Sequence, residues 1–352
     1  MKANVLQIGE RAVGEGNPAW VIAEIGVNHD GSLRRAMELV ELAAACGADA
    51  VKLQVFTAAA LMHGSSQFAD YQQQRAVDSD PAAMLRRYEL PSAQVQEIVA
   101  SIRKHGMIPI ATPFSPADVQ TLVDLNLPAV KIASPDLVNR PLLGRAMELG
   151  VPMIVSTGAA TMDEVAMACG WLREWGSSFA LLHCVSSYPT PPDQANLCWI
   201  AELAQRFAVP VGFSDHTNQL MAGALAVASG ARIIEKHLTY DRSAKGPDHA
   251  ASCDPEQFAQ YVQAIRLCET MRGLPGKRVL EIEQDVRRVS RQSLVVIRDL
   301  QAGEMLFDRD LTVQRPGTGI SAADVKAAVG RRTARAIASG TLLQWDMLAD
   351  AA

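Results

Sequence analysis

Two apolar runs in this chain each end in a histidine with a carboxylate beside it. VPVGFSDHT closes on Asp215 and His216, and ARIIEKHLT closes on Glu235, Lys236 and His237. Two imidazoles, His216 and His237, turned to one point make a two-histidine donor set with open positions. That set suits a catalytic divalent cation that also binds substrate and water. Such an ion polarises a carbonyl oxygen as a Lewis acid. Other apolar runs repeat the arrangement. WVIAEIG carries Glu24 and leads to Asn28 and His29, and ADAVKLQVF carries Lys52 and Gln54. MIPIATPF carries Thr112, AVKIAS carries Lys131 and Ser134, and PMIVSTG carries Ser156 and Thr157. SFALLHCVSSYP carries His183, Ser186, Ser187 and Tyr188, and Ser214 precedes the first acid–histidine pair.

Burying one charge in an apolar strand is costly unless it is paired. Repeating it at the same end of several strands serves no packing purpose, so these positions read as one catalytic site. Lys52 and Lys131, with the hydroxyls of Ser134, Ser156 and Ser214, suit a phosphate or a carboxylate. Glu24 and Glu235 are candidates for proton transfer or water orientation. Gln54 and Tyr188 read as substrate-positioning groups. A rival chemistry makes Lys52, Lys131 or Lys236 an imine-forming lysine in a pyruvate aldolase or lyase. Imine chemistry needs no metal, and the histidine pair argues against it. A non-enzymatic sugar-binding or ice-binding role is a further rival; the C-terminal module has no flat, repeated threonine array for ice, and sugar binding without phosphate release would mark a binding role.

Eight apolar runs alternate with helical patterns through the first two thirds of the chain. That alternation predicts a parallel sheet with helical crossovers, and eight units predict a closed (β/α)8 barrel. An open doubly wound sheet shares the local pattern, but no GxGxxG follows the first run. In the first helix Leu33, Met37, Val40 and Ala44 are expected on the buried face, with Ser32 capping its start and Gly47 ending it. In such a barrel the strands' C-terminal ends carry the chemistry. The expected division is a catalytic barrel over residues 1–272, a linker over 273–289, and a compact α+β module over 290–352. That module is small for an independent core.

Composition narrows the function class. The net charge is −5 and no Lys/Arg run stands out, which argues against nucleic-acid binding. Six cysteines lack CxxC spacing and read as reduced thiols. The first residues form no apolar signal core and no run is long enough to span a membrane, so a cytoplasmic protein is expected.

In order, AEIGVNHDGSL, GADAVKLQVF, KIAS, VSTGAA, HCVSSYPTP, GFSDHT, EKHLT, GPDHAAS and RPGTGIS resemble the sialic acid (N-acetylneuraminate, or nonulosonic acid) synthase family over nearly the whole chain. The resemblance implies a TIM barrel followed by an antifreeze-like (SAF) domain. It implies condensation of phosphoenolpyruvate with an N-acylated aldose. Lys52, Lys131, Ser134, Ser156 and Ser214 would hold phosphoenolpyruvate, together with Ser186, where many members have Asn. His216 and His237 would bind a divalent ion, manganese first, with magnesium or cobalt as alternatives. Gln54, Tyr188 and Asp248 would contact the open-chain sugar. Arg315 would reach the N-acyl region from the C-terminal module in a domain-swapped homodimer. Glu24 or Glu235 would orient the water. The insertion over residues 58–88 shows no basic cluster for a sugar phosphate, which points to an unphosphorylated acceptor; among these N-acetylmannosamine is expected. The 2,4-diacetamido-trideoxyhexoses of legionaminic and pseudaminic acid synthases are the alternative.

Overall fold

A computed structural model describes residues 4–63 and 80–349. It divides into two compact units, Met1–Gly273 and Leu274–Ala352. The first unit begins with a hairpin, β1 (Val5–Ile8) and β2 (Arg11–Gly14). Eight parallel strands follow: β3 (Trp20–Glu24), β4 (Ala50–Val55), β5 (Ile108–Pro113), β6 (Val130–Ile132), β7 (Met153–Ser156), β8 (Phe179–Cys184), β9 (Val211–Asp215) and β10 (Ile233–His237). They pair in chain order, and β10 closes back on β3. The closed (β/α)8 barrel expected from the alternation is therefore present.

Each strand is covered on both faces, so its sequence is apolar throughout instead of alternating with polar residues. The period of two still sorts the side chains. Ile22, Ala50, Ile110, Ile154, Ala180, Leu182 and Ile233 form one cluster inside the barrel, joined by Leu6, Ile8 and Val13 of the hairpin. Val21, Val51, Leu53, Val155, Leu181, Phe213 and Ile234 belong to a separate cluster shared with the helices. Continuing the inner set toward the strand ends gives Glu24, Lys52, Ser156, Glu235 and His237. The fold thus turns an apolar barrel interior into a polar mouth within one or two residues per strand. The sequence assigned no element before residue 20, so the hairpin packed against the barrel interior is new.

The helix Leu33–Ala45 starts at Ser32, whose hydroxyl accepts from the Arg35 amide, and Gly47 follows it at φ 83°. Its buried face is Ala36, Leu39, Val40 and Ala43. Leu33, Met37 and Ala44 flank that face, half-buried. Only Val40 of the expected set is fully buried. Two alanines at the contact bring the helix closer to the sheet than a leucine–methionine ridge would. Capping boxes start two further helices, Thr161 with Glu164 before Met162–Glu174 and Asp254 with Gln257 before Pro255–Arg272.

The second unit pairs β11 (Ser293–Val296) antiparallel with β12 (Leu311–Gln314). Its own small core includes Leu294, Val296, Leu300, Leu306, Ile320, Ile337 and Leu343. Residues 274–289 cluster with this unit and are exposed along their length. Among the described residues no helix is long and apolar enough to cross a membrane.

Candidate active site

Ladder register sets the first group of charges. His237 aligns with Glu24, Glu24 with Lys52, and Glu235 with Ser214. Lys52 Nζ lies 2.8 Å from Glu24 Oε2 and 3.3 Å from Glu235 Oε1. Glu24 Oε1 accepts from the Gly26 amide at 2.7 Å and from Gln54 Nε2 at 3.2 Å. A Cβ at Gly26 would stand 2.2 Å from Glu24 Oε1, so this close approach requires glycine. Ser214 Oγ donates to Glu235 Oε1 at 2.9 Å, while Glu235 Oε2 is buried with no hydrogen-bond partner.

The electrostatics follow from this crowding. Burial lowers Lys52 to about 8, against the upward pull of Glu235 and with Lys131 adding to the fall. Burial pushes Glu235 upward, but Lys131 and Lys52 outweigh it and hold the carboxyl below its ordinary range. Glu235 is therefore ionised at neutral pH.

Lys131 is 2 % exposed and points its ammonium at Ser156 Oγ (2.6 Å) and the Ile132 carbonyl (2.8 Å). Next to it the backbone leaves a cradle at Gly158. The Gly158 amide donates to Ser134 Oγ at 3.0 Å. A Cβ there would meet Ser186 Oγ at 2.4 Å, Ser134 Oγ at 2.8 Å and Cys184 Sγ at 3.0 Å. Two hydroxyls thus converge where a side chain is missing, beside a buried ammonium and its serine. This is an anion cradle of the kind oxyanion chemistry uses. Gly158 and Cys184 carried no role in the sequence reading, although both lie in its motifs. A glycine's missing atom becomes informative only when its neighbours are known.

The histidines lie together. The His216 and His237 ring centroids are 5.5 Å apart, and the Tyr188 ring lies tilted at 4.0 Å from His216 and edge-on at 6.1 Å from His237. His216 Nδ1 is 3.0 Å from the Val185 carbonyl, which fixes the ring and leaves Nε2 as its donor atom. Cys184 Sγ lies 3.7 Å from the same nitrogen. Burial lowers His216, but Cys184 outweighs burial and raises it. His237 is lowered well below its ordinary value by burial, with His216 and Lys52 adding to the effect. Its Nδ1 is buried without a hydrogen bond, and Asp248 Oδ2 stands 3.7 Å away. A buried imidazole with an orphaned nitrogen beside a second, oriented imidazole fits a divalent cation. Among the described residues no group of three His, Cys, Asp or Glu side chains is placed to hold a metal ion, so the protein would supply the two imidazoles and leave the other positions to substrate and water.

Asp248 is held by its loop. Asn28 Nδ2 donates to the Leu238 carbonyl and to Ser252 Oγ, and Ser252 Oγ donates to the Asp248 carbonyl at 2.7 Å. Asp30 accepts from Tyr240 and contacts His249 Nε2 at 3.1 Å, which ties the loop after β3 to the loop after β10. Those tying residues were missed, because no local spacing links positions so far apart in the chain.

Several residues expected at the mouth lie elsewhere. Asp215 pairs with Lys236 and accepts from Tyr261 of the helix Pro255–Arg272, on the helix side of the sheet. His183 stacks on Phe213 and contacts the Ala195 carbonyl, also on that side. His29 Nδ1 accepts from the Gly31 amide within its turn, and Thr157 Oγ1 donates to the Leu182 carbonyl. The same period of two that selects Glu235 and His237 sends their neighbours outward. Arg315 lies in the second unit and is exposed. Much of the insertion over 58–88 falls outside the described residues; its described ends are the helices Ala58–Leu61 and Pro81–Tyr88.

Comparison with known proteins places this architecture. The NeuB family profile matches residues 39–277 and the SAF domain profile matches residues 291–349. N,N'-diacetyllegionaminic acid synthase of Legionella pneumophila is 37% identical, over 96% of this chain and 97% of that protein. N-acetylneuraminate-9-phosphate synthase of Mus musculus is 32% identical, over 86% of this chain and 85% of that protein. The crystal structure of N-acetylneuraminic acid synthetase from Leptospira borgpetersenii, in complex with citrate, superposes with a TM-score of 0.72 at 31% identity, covering 81% of this chain and 95% of that one. On its barrel, its C-terminal domain and these relatives, the chain belongs to the NeuB family.

Proposed function

We propose that this protein condenses phosphoenolpyruvate with an N-acylated aldose, releasing phosphate and a nonulosonic acid. The observation that carries the proposal is the anion cradle at Gly158, with Lys131, Ser134, Ser156 and Ser186, opening beside the His216–His237 pair. One part suits a phosphate and the other a carbonyl. The relatives' names supply the substrate class.

The reaction forms a bond from C3 of phosphoenolpyruvate to the aldehyde carbon, and the aldehyde oxygen gains a proton. Positive charge develops at C2, water adds there, and the C2–O bond to phosphate then breaks to leave a ketone. Lys131 and the hydroxyls of Ser134, Ser156 and Ser186 hold the phosphoryl group while negative charge grows on it, and the Gly158 amide orients Ser134 by donating to its Oγ. Lys52 adds a second positive charge. A divalent ion held by His216 and His237, manganese foremost, would supply Lewis-acid polarisation of the aldehyde. Tyr188, Gln54 and Asp248 border the same space and would orient the open-chain sugar.

Between the two glutamates, the hydrogen-bonding favours Glu235 for the water. Each carboxylate has an Oε2 without a hydrogen bond, but that of Glu24 lies 2.8 Å from Lys52 Nζ, whereas Ser214 and Lys52 engage Glu235 at Oε1. Anionic substrate neutralises Lys131 and Lys52, the charges that hold Glu235 low. Its basicity therefore rises when phosphoenolpyruvate binds. The water's proton passes to this carboxylate as C2 is hydrated.

N-acetylmannosamine is the acceptor we assign. A 2,4-diacetamido-trideoxyhexose is the second reading, favoured by the 37% identity to the legionaminic acid synthase. Arg315, exposed on the SAF domain, would contact the acceptor's N-acyl group in a domain-swapped homodimer. Six free cysteines support a reducing, cytoplasmic setting. The test is phosphate release from phosphoenolpyruvate and manganese with N-acetylmannosamine, its 6-phosphate, or 2,4-diacetamido-2,4,6-trideoxymannose. Release with one of the unphosphorylated sugars, abolished by chelator, supports the reading. Release with none of the three refutes it.

A further inference from the structure

The acid–histidine and lysine–histidine sequences at the ends of β9 and β10 have a second use, on the reverse face of the sheet. Lys236 aligns directly with Asp215 in the β9–β10 ladder. Its ammonium lies 3.3 Å from Asp215 Oδ2 and donates to the backbone carbonyl of Asp215, also at 3.3 Å, and to that of Thr217. Those two carbonyls flank His216. The residue before one histidine therefore grips the backbone on both sides of the other. Asp215 completes the clamp. Its Oδ1 accepts from the Thr217 amide at 2.8 Å, and its Oδ2 accepts from Tyr261 at 2.8 Å. Tyr261 is held in turn by the helix Ala222–Ala228, where a Cβ at Gly223 would stand 2.5 Å from its ring. Lys236, Asp215 and Tyr261 are all 1 % exposed or less.

A buried ion pair is weak support for stability, because desolvation offsets much of the attraction. Such pairs are better attested as devices that fix register. Here the register being fixed is the one that sets His216 against His237. We infer that Lys236, Asp215 and Tyr261 are positioning residues for the two-histidine cation site, acting from outside the barrel without touching the ion. The inference rests on the proposed metal role of His216 and His237. It gives the protein a supporting shell in a site where, among the described residues, no third side chain is placed to hold the ion. In metal sites, loss of such supporting partners commonly loosens the ion by about 10–100-fold.

The test is direct titration of the full-length protein with manganese(II), following the free ion by electron paramagnetic resonance. Melting temperature is read in parallel. Asp215→Asn keeps the side-chain shape but removes the charge opposite Lys236. Lys236→Met removes the donor to both carbonyls, and Tyr261→Phe removes one hydroxyl. His216→Ala is the reference for loss of a ligand. Asp215→Asn and Lys236→Met are expected to weaken manganese binding at least tenfold, and Tyr261→Phe by less. If Lys236→Met does not fold, Asp215→Asn decides alone. Lower melting temperatures with unchanged manganese affinity, while His216→Ala loses the ion, would overturn the positioning role and leave the metal reading intact. Unchanged affinity in His216→Ala would overturn both.

Discussion

Gly158 shows most plainly how one position would set the proposed chemistry. The cradle exists because no Cβ occupies the space between Ser134 Oγ and Ser186 Oγ. Gly158→Ala is expected to raise the KM for phosphoenolpyruvate at least tenfold, with little change in melting temperature. A KM within twofold of wild type would remove the phosphate from this cradle. Lys52 provides a pH test. Burial brings its pKa down to about 8, so in the free enzyme it loses its proton above that pH. The kcat/KM for phosphoenolpyruvate reports free-enzyme ionisations and is expected to fall above about pH 8. The fall should be weaker in kcat, because the bound anion restores the charged form. A kcat/KM flat to pH 9.5 would contradict it. Residue types in the sequence identified Glu24, Lys52, Lys131, Glu235 and both histidines as candidates. They did not separate the inner from the outer face at strand ends, so Asp215, Lys236 and His183 were grouped with them. Strand alternation carries that distinction once the register is known: Glu235 and His237 turn in, and Lys236 between them turns out.

At the scale of elements, the eight strand–helix alternations were legible because each strand is a short apolar run between turn signals. The hairpin β1–β2 was not, because two strands of four residues give too short a pattern. Nor was the buried face of Leu33–Ala45 fully legible. Leu33, Met37 and Ala44 are as apolar as the face that packs, and only the approach distance to the sheet selects the alanines. That choice is measurable. Ala36→Leu forces a larger side chain into a fully buried contact and is expected to cost about 1–3 kcal/mol. Met37→Leu, at the half-buried flank, is expected to cost under about 1.5 kcal/mol. Urea denaturation checks both. Equal costs would mean that the helix packs on the face the sequence suggested.

For the whole molecule, a compact barrel of residues 1–273 carries the proposed chemistry, and the C-terminal unit has its own core of short strands and turns. In the sequence the strand–helix pattern breaks around residues 274–288 and the texture changes from Ser290. The assignment of 274–289 to the second unit depends on contacts that the sequence does not display. The proposed domain-swapped dimer makes a prediction of its own. Arg315→Ala and Lys131→Ala chains should each be nearly inactive, and unfolding and refolding them together should restore part of the activity. A dimer with one chain of each kind would then hold one site with both native residues. No recovery from well-folded mixed dimers would place Arg315 in the site of its own chain, or in none. The central claim is that phosphoenolpyruvate reacts at C3 and loses its phosphate by C–O cleavage while the Gly158 cradle holds the phosphoryl group. Its most direct test uses phosphoenolpyruvate labelled with 18O at the bridging oxygen, with the accepted sugar and manganese. The expected result is 18O in the released inorganic phosphate and none in the new ketone. Label retained in the sugar product would mean P–O cleavage and would contradict the account.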